Sequence, residues 1–483
     1  MRFAFLLLTI TALLSGCSRK PADGPITVSV IGDTPSIVDP SREVPSPASA
    51  VLLSATAQGL VAFDAAGEVK PALGERWIIF DDGLDYTFRI ASGSGVDSER
   101  VARQLRRMLA PRSANDLRPV LGAIEEIVAV TPEVVEIRLR SPRPNLLQLL
   151  AQPDMALAFN GKGTGPLRIV SQDAGSILLR PLQDDDPDAP EAKAARRGER
   201  DVRLFGENAR MAVRRFAAQR AALVLGGTFA DLQIAQEANL PTGTLRFDPV
   251  VGLLGLQFVE REGFLGAPEI RRALAMAIDR DRIVGAFAMK DWKSAASLVP
   301  DGIADLPAPA APDWTGAAID ERRAGAARTI AGWTTENGAP PTLRVALPSG
   351  PGSAQLFTMI GQDWAAIGVH AVFVPIEADA DLRLVDAVAP ADIASWYLRR
   401  FTCQTSAICS EAADQSLNGA RLVPTLAERS ALLADADRRL RDVVPFIPIA
   451  MPIRWSLVTP ALDGFRTNVR GAHPLDELRA PPR

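Results

Sequence analysis

GLLGLQFVEREGFLGAPEIRRALAMAIDRDRIVGAF, residues Gly252 to Phe287, passes from the spacing of a strand to the spacing of a helix. Leu254, Leu256 and Phe258 alternate with Gly255 and Gln257, which predicts a strand with one buried face. The polar loop Glu260 to Gly266 breaks that pattern. Pro268 then stands where a first helical position needs no N–H, and Ile270, Leu274 and Ile278 follow as one apolar stripe that leaves Arg271 and Arg272 outside it. Asp279 is placed to cap a further turn, whose Ile283, Val284 and Phe287 continue the buried face. This stretch is expected to open a second lobe, residues 248–443.

Downstream, Leu343 to Leu347, a helix carrying Leu356, Phe357, Ile360 and Trp364, a stop at Gly368 and the strand Val369 to Val374 form a strand–helix–strand unit. That unit argues for a mixed α/β sheet. Asp301 to Pro312 is a connector, Asp392 to Trp396 reads as the end of another strand, and Leu426 to Val443 reads as a last long helix. Val444 to Ile449 then leads back to the first lobe.

Upstream, Ile26 to Ile31 alternates as a strand, a Pro-rich loop runs from Asp33 to Pro47, and Ala50 to Leu60 reads as a helix. Hairpins follow, with Ile78 to Phe80 turning at Asp82-Gly83 into Leu84 to Ile90, and Glu126 to Val130 pairing with Val134 to Leu139. Together with the helix Asp97 to Leu109 they make residues 59–160 a small β-rich subdomain. Gly163-Thr164-Gly165-Pro166 lacks the Gly-Lys-Ser/Thr end of a phosphate loop and reads as a turn into Leu167 to Val170. Asp184 to Arg203 reads as a charged surface loop. A helix from Asn208 to Arg220 feeds the strand Ala222 to Leu225, which ends in Gly226-Gly227-Thr228. Glycines at a strand end, Gly227 among them, let a ligand approach the backbone, and a simple turn is the other reading.

With 483 residues the chain is too long for one ordinary core, and a net charge of −4 offers no basic surface to nucleic acid. Arg2, the apolar run Phe3 to Leu14 and Leu14-Ser15-Gly16-Cys17 resemble the leader and lipobox of a bacterial lipoprotein. In that reading residues 1–16 are removed, Cys17 is lipidated, residues 17–24 are a tether, and the protein is anchored to a membrane in the periplasm or cell envelope. An ordinary cleaved leader is the alternative. Cys403 and Cys409, with Gln404 to Ile408 between them, permit a local disulfide; a metal site is the weaker reading because no histidine lies near. Only His370 and His473 exist, and no zinc-protease, nucleophile-elbow or dinucleotide motif can be read. No cofactor and no metal are expected, and enzymatic chemistry would have to rest on carboxylate pairs.

The helix A-P-E-I-R-R-A-L-A-M-A-I-D-R, the run P-A-L-G-E-R-W at Pro71 to Trp77 and D-D-G-L-D-Y-T-F after it resemble the extracytoplasmic solute-binding proteins of the peptide-importing ABC transporter family, family 5. The resemblance implies an α/β, two-lobed periplasmic-binding-protein fold of type II, in its large peptide-binding subclass. Residues 25–58, 161–247 and 444–483 would form the first lobe, carrying the β-rich subdomain. It further implies a monomer that binds a peptide or peptide-like solute between the lobes and delivers it unchanged to a permease driven by a cytoplasmic ATPase.

Family peptide binders carry a ligand strand in which an aspartate follows a tryptophan and pairs with the peptide amine. Here Ser395-Trp396-Tyr397-Leu398-Arg399-Arg400 matches at Trp396, with Tyr397 beside it, but has arginine where the carboxylate belongs. An ammonium buried there would be strongly disfavoured, whereas Arg399 or Arg400 could hold a ligand carboxylate or another anion. Surface arginines and a core Trp396 are the plainer reading. The family's ligand-facing loop corresponds to Ser36, Ile37 and Val38, which could equally be a connector. A receptor for a non-peptide anion and a secreted lipoprotein hydrolase remain the alternative functions.

Overall fold

The computed structural model describes residues 24–159, 162–173, 175–182 and 200–479. The expected leader, Cys17 and most of the charged segment 184–203 lie outside them. Two sheets organise the rest. In the first, the strand Ile26–Ile31 runs parallel to Val202–Glu207 on one side and Leu223–Gly227 on the other. Antiparallel strands extend both edges, Ser176–Pro181 and Leu167–Asp173 on one, Arg454–Val458 and Leu245–Asp248 on the other. The second sheet has the order Ala371–Pro375, Leu343–Leu347, Leu382–Val388, Gly252–Phe258, Phe446–Ala450.

Gly252–Phe258 was expected to bury one face and buries both. It sits between two neighbours in the second sheet, with Leu254, Leu256 and Phe258 in one core cluster and Leu253 in another. The helix Pro268–Ala277 begins at the proline as the sequence indicates, and Asp279 caps the next helix by accepting from the N–H of Arg282. Arg271 corrects the reading of that helix, because it is buried rather than outward. Its guanidinium donates to the carbonyls of Leu265, Gly266, Val443 and Val444, closing the C-terminal end of the helix Leu426–Val443.

A helix at Ile319–Asn337 has no counterpart in the sequence reading. It packs on Pro268–Ala277 along a narrow seam in which only Ala326 and Ile330 are fully buried, so its Ala- and Gly-rich sequence shows little periodicity.

The chain changes sheets twice, between Asp248 and Gly252 and between Ala450 and Arg454. Phe446–Ala450, placed by the sequence reading in the first lobe, pairs with Gly252–Phe258 in the second sheet. The boundary therefore lies at Met451 to Ile453. The four-stranded antiparallel sheet Gly74–Phe80, Asp85–Ile90, Val134–Leu139, Ile124–Thr131 and the helix Ser98–Leu109 form the β-rich part. Its core runs on into the helices after Asp392, where Tyr397, Phe401, Leu417 and Leu433 share one cluster with Phe88 and Ile137.

Candidate ligand-binding cleft

In open α/β sheets a crevice forms outside the carboxyl ends of the parallel strands, and ligands bind in it. Here Val30, Leu225 and Gly226 mark those ends and border a cavity of about 480 Å³. Helix Pro47–Thr56 walls one side, capped by Ser46, whose hydroxyl accepts from the N–H of Ser49. Lys70 and Gln152 of the β-rich part and the run Arg470 to Asp476 close the others. Gly226 takes φ of +82°, the left-handed region that glycine supplies. Gly227 meets the ring of Trp455 so closely that an added Cβ would lie 2.1 Å from it, and the indole N–H donates to the carbonyl of Thr228 at 2.8 Å.

Every charged side chain around this cavity already has a partner. Lys70 Nζ donates to Glu477 Oε1 at 2.6 Å and to Asp476 Oδ2 at 3.3 Å. Burial alone would lower the pKa of Lys70, but its hydrogen bonds and charge interactions with Glu477 and Asp476 outweigh that and raise it. Arg454 Nη1 donates to Asp386 Oδ1 at 2.7 Å, and Arg470 reaches both oxygens of Asp392 at 3.2 and 2.8 Å. His473 stacks on Phe465, and its Nε2 lies in hydrogen-bond contact with Asp248 Oδ2 at 3.0 Å. Its Nδ1 is buried with no partner, so no hydroxyl or thiol among the described residues is poised against this imidazole as a nucleophile would be. No group of metal-ligating side chains is found among the described residues either. What the cleft offers is backbone edges, apolar walls and preset charges, the equipment of a binding site.

The residues singled out from sequence are dispersed. Trp396, Tyr397 and Arg399 sit on a short helix, Ala394–Arg399, not on a strand; the strand ended earlier, at Val388, before Pro390. All three are buried, and none lines the cavity. Arg399 donates to the carbonyl of Leu417, and burial, reinforced by Arg421, Arg143 and Arg429 and opposed by Asp414, pushes its pKa down to about 9. Arg400 lies over the Trp396 ring at 5.2 Å. Tyr397 Oη is buried without a partner; burial pushes its pKa up, Asp392 adds to that and Arg470 opposes it, so the hydroxyl lies within the field of both. The Ser36 N–H donates to the Ser49 hydroxyl at 3.1 Å, while Ile37 and Val38 pack against Leu53 and Ala57, so this loop braces the wall helix. Cys403 and Cys409 are joined in a disulfide beyond Arg400.

Comparison with known proteins adds to this geometry. Residues 201–401 match the bacterial extracellular solute-binding proteins, family 5, middle region. That match takes in the strands Val202–Glu207, Leu223–Gly227 and Leu245–Asp248 of the first sheet and most of the second lobe. The glutathione-binding protein GsiB of Shigella flexneri is 28% identical over 178 residues, covering 33% of this chain and 34% of that protein, and its Escherichia coli K12 counterpart is 27% identical over the same length. The match thus spans about a third of these relatives. Among solved structures, Haemophilus influenzae OppA in complex with the peptide RPPGFSPFR superposes with a TM-score of 0.81 at 15% identity, covering 95% of this chain and 99% of that one. The murein tripeptide binding protein MppA of Escherichia coli gives 0.79 at 17%, covering 96% and 100%. AgaA of A. tumefaciens in complex with agropinic acid gives 0.72 at 18%, covering 95% and 99%. These likenesses establish the two-lobed fold.

The sequence reading did not find Lys70, Asp248, Arg454, Arg470 or His473. Two signals were available. His473 is one of only two histidines, and Asp248 ends and Arg454 begins a strand where the chain crosses between the two sheets.

Proposed function

We propose that this chain is the solute-binding component of an ABC importer, held outside the cytoplasm by lipid on Cys17, which captures a short peptide or peptide-like solute as its lobes close. The observation that carries this reading is the cavity at the carboxyl ends of the parallel strands, beside the only two places where the described chain passes from one sheet to the other. Two close crossovers make a hinge, and a ligand that binds the closed arrangement better than the open one drives closure without any chemical step. A volume of about 480 Å³ lies in the range of small-molecule sites and suits a short guest rather than a long extended chain. The names of the relatives, which bind glutathione, peptides or a tripeptide, support the same solute class. Delivery to a permease and its ATPase is the role that the family 5 match supports.

The test is native mass spectrometry of protein purified without unfolding, followed by thermal-shift screening of short peptides. A retained peptide mass and a raised melting temperature are expected, since a ligand at a hundred times its Kd adds about 2.7 kcal/mol. Stabilisation by non-peptide solutes alone would refute the peptide assignment.

A further inference from the structure

Two arginines anchored in the first lobe reach aspartates of the second, and the two pairs are built differently. Arg454 and Asp386 are both sheltered, with 20% and 13% of their side chains exposed. Arg470 is 3% exposed, whereas its partner Asp392 is 48% exposed. Arg470 is also the better fixed of that pair. Its own N–H donates to Asn468 Oδ1 at 3.0 Å, Asn468 in turn receives no freedom because its N–H donates to Asp248 Oδ1, and Gln148 Oε1 accepts from Arg470 Nη2 at 3.4 Å.

Building on the cleft assignment above, we propose that Arg470 is the anchor for a carboxylate of the bound solute and that Asp392 is the placeholder it displaces. A guanidinium offers a planar fork that any carboxylate fits through two parallel hydrogen bonds, and Asp392 occupies that fork at 3.2 and 2.8 Å. Arg470 borders the cavity and Asp392 does not. A cation this buried requires an anion at all times, while an aspartate already half in water leaves with little loss. The asymmetry therefore makes the aspartate the exchangeable member. The predicted guest is a solute with a free carboxylate, read by Arg470 instead of the Arg399 or Arg400 that the sequence pointed to.

Isothermal titration of the full chain with trialanine, its C-terminal amide and succinate tests this. The acid should bind about tenfold to a hundredfold more tightly than the amide, the range expected for hydrogen bonds to a charged group. Arg470→Gln should erase that difference, and Asp392→Asn should tighten the acid while leaving the amide unchanged. Equal binding of acid and amide by the native chain would overturn the anchor while sustaining the peptide reading. Succinate binding that depends on Arg470, with neither peptide bound, would sustain the anchor and overturn the peptide reading. Loss of affinity for acid and amide alike in Asp392→Asn would show the pair to be a closing clamp, which also overturns the proposal. The comparison of acid with amide in the native chain needs no variant, so it carries the test even if Arg470→Gln or Asp392→Asn does not fold.

Discussion

Replacing Arg271 by methionine while leaving its neighbour Arg272 as the control sets a buried cation against an exposed one on the same helix. Arg271 is 3% exposed and donates to Leu265 O at 2.7 Å, Gly266 O at 2.9 Å, Val443 O at 2.6 Å and Val444 O at 3.3 Å. Methionine fills a similar volume but removes every donor. The Leu265 carbonyl then stays buried and unsatisfied, a penalty of about 1–3 kcal/mol, and the carbonyls nearer the surface recover part of theirs from water. Burial already pushes the Arg271 pKa down to about 10, Glu269 partly opposing it, so removing the charge returns some desolvation energy. The balance is a loss of about 3–4 kcal/mol for Arg271→Met. At roughly 2–4 °C per kcal/mol for domains of this size class, the melting temperature should fall by about 6–16 °C in differential scanning calorimetry. Arg272, paired with Asp313 and 43% exposed, should shift by less than about 1 kcal/mol when changed to methionine. Equal melting temperatures for the two variants would refute the claim that these carbonyls depend on Arg271.

Three further outcomes follow from single side chains. Asp437 accepts from Ala310 N–H on one oxygen, leaves the other unpartnered, and burial pushes its pKa up to about 6. Since the unfolded value is about 3.9, the native state holds its proton more firmly, and this group's stability is present below about pH 4 and lost as pH rises through about 6. Asp437→Asn should therefore raise the urea midpoint at pH 7.5 by the equivalent of about 1–3 kcal/mol and lose that advantage toward pH 4; a gain independent of pH would contradict the burial argument. Gly227→Ala puts a Cβ 2.1 Å from the Trp455 ring, so the indole must move. A loss of about 1–3 kcal/mol with an altered near-ultraviolet dichroism is expected, and an unchanged spectrum would show that the ring is not held there. Serine at both Cys403 and Cys409, whose bond closes a short loop with a sequence separation of 6, should lower stability by about 2 kcal/mol, and reducing agent should reproduce the effect in the native chain.

The sequence disclosed those elements whose burial is one-sided. Leu426–Val443 falls where its periodicity puts it, and so do the hairpins of the β-rich part. Elements whose burial departs from that pattern misled the reading. Gly252–Phe258 looks alternating because Gly255 must be small where Ile447 O would lie 2.2 Å from a Cβ, yet both its faces are covered. Ile319–Asn337 touches its neighbour along too thin a seam to leave a stripe. Arg271 scores as surface by charge, and only the four carbonyls it meets, two of them on the distant Val443 and Val444, reveal otherwise. The tryptophan at 396 matched the family's pattern, but a proline at 390 ends the strand early and turns this residue into the core.

The cleft was less legible than the fold for a different reason, which is that its charges act in pairs separated by long stretches of chain. Arg454 meets Asp386 across 68 positions and Arg470 meets Asp392 across 78, and each pair joins the two lobes. Scanning one segment for an acid replaced by an arginine cannot detect a compensation that arrives from elsewhere. The two pairs also differ in leverage. Asp386 faces Leu254, just past the first crossover, and Arg454 donates to Ile453 O within the second, so this pair sits between both crossovers and moves little in the proposed rotation. The Arg470 pair depends on the loop after Pro390, away from that axis, and its partner is already half hydrated. Lobe opening would therefore break the outer pair first and leave the inner one as the pivot, placing the exchangeable aspartate on the side that opens.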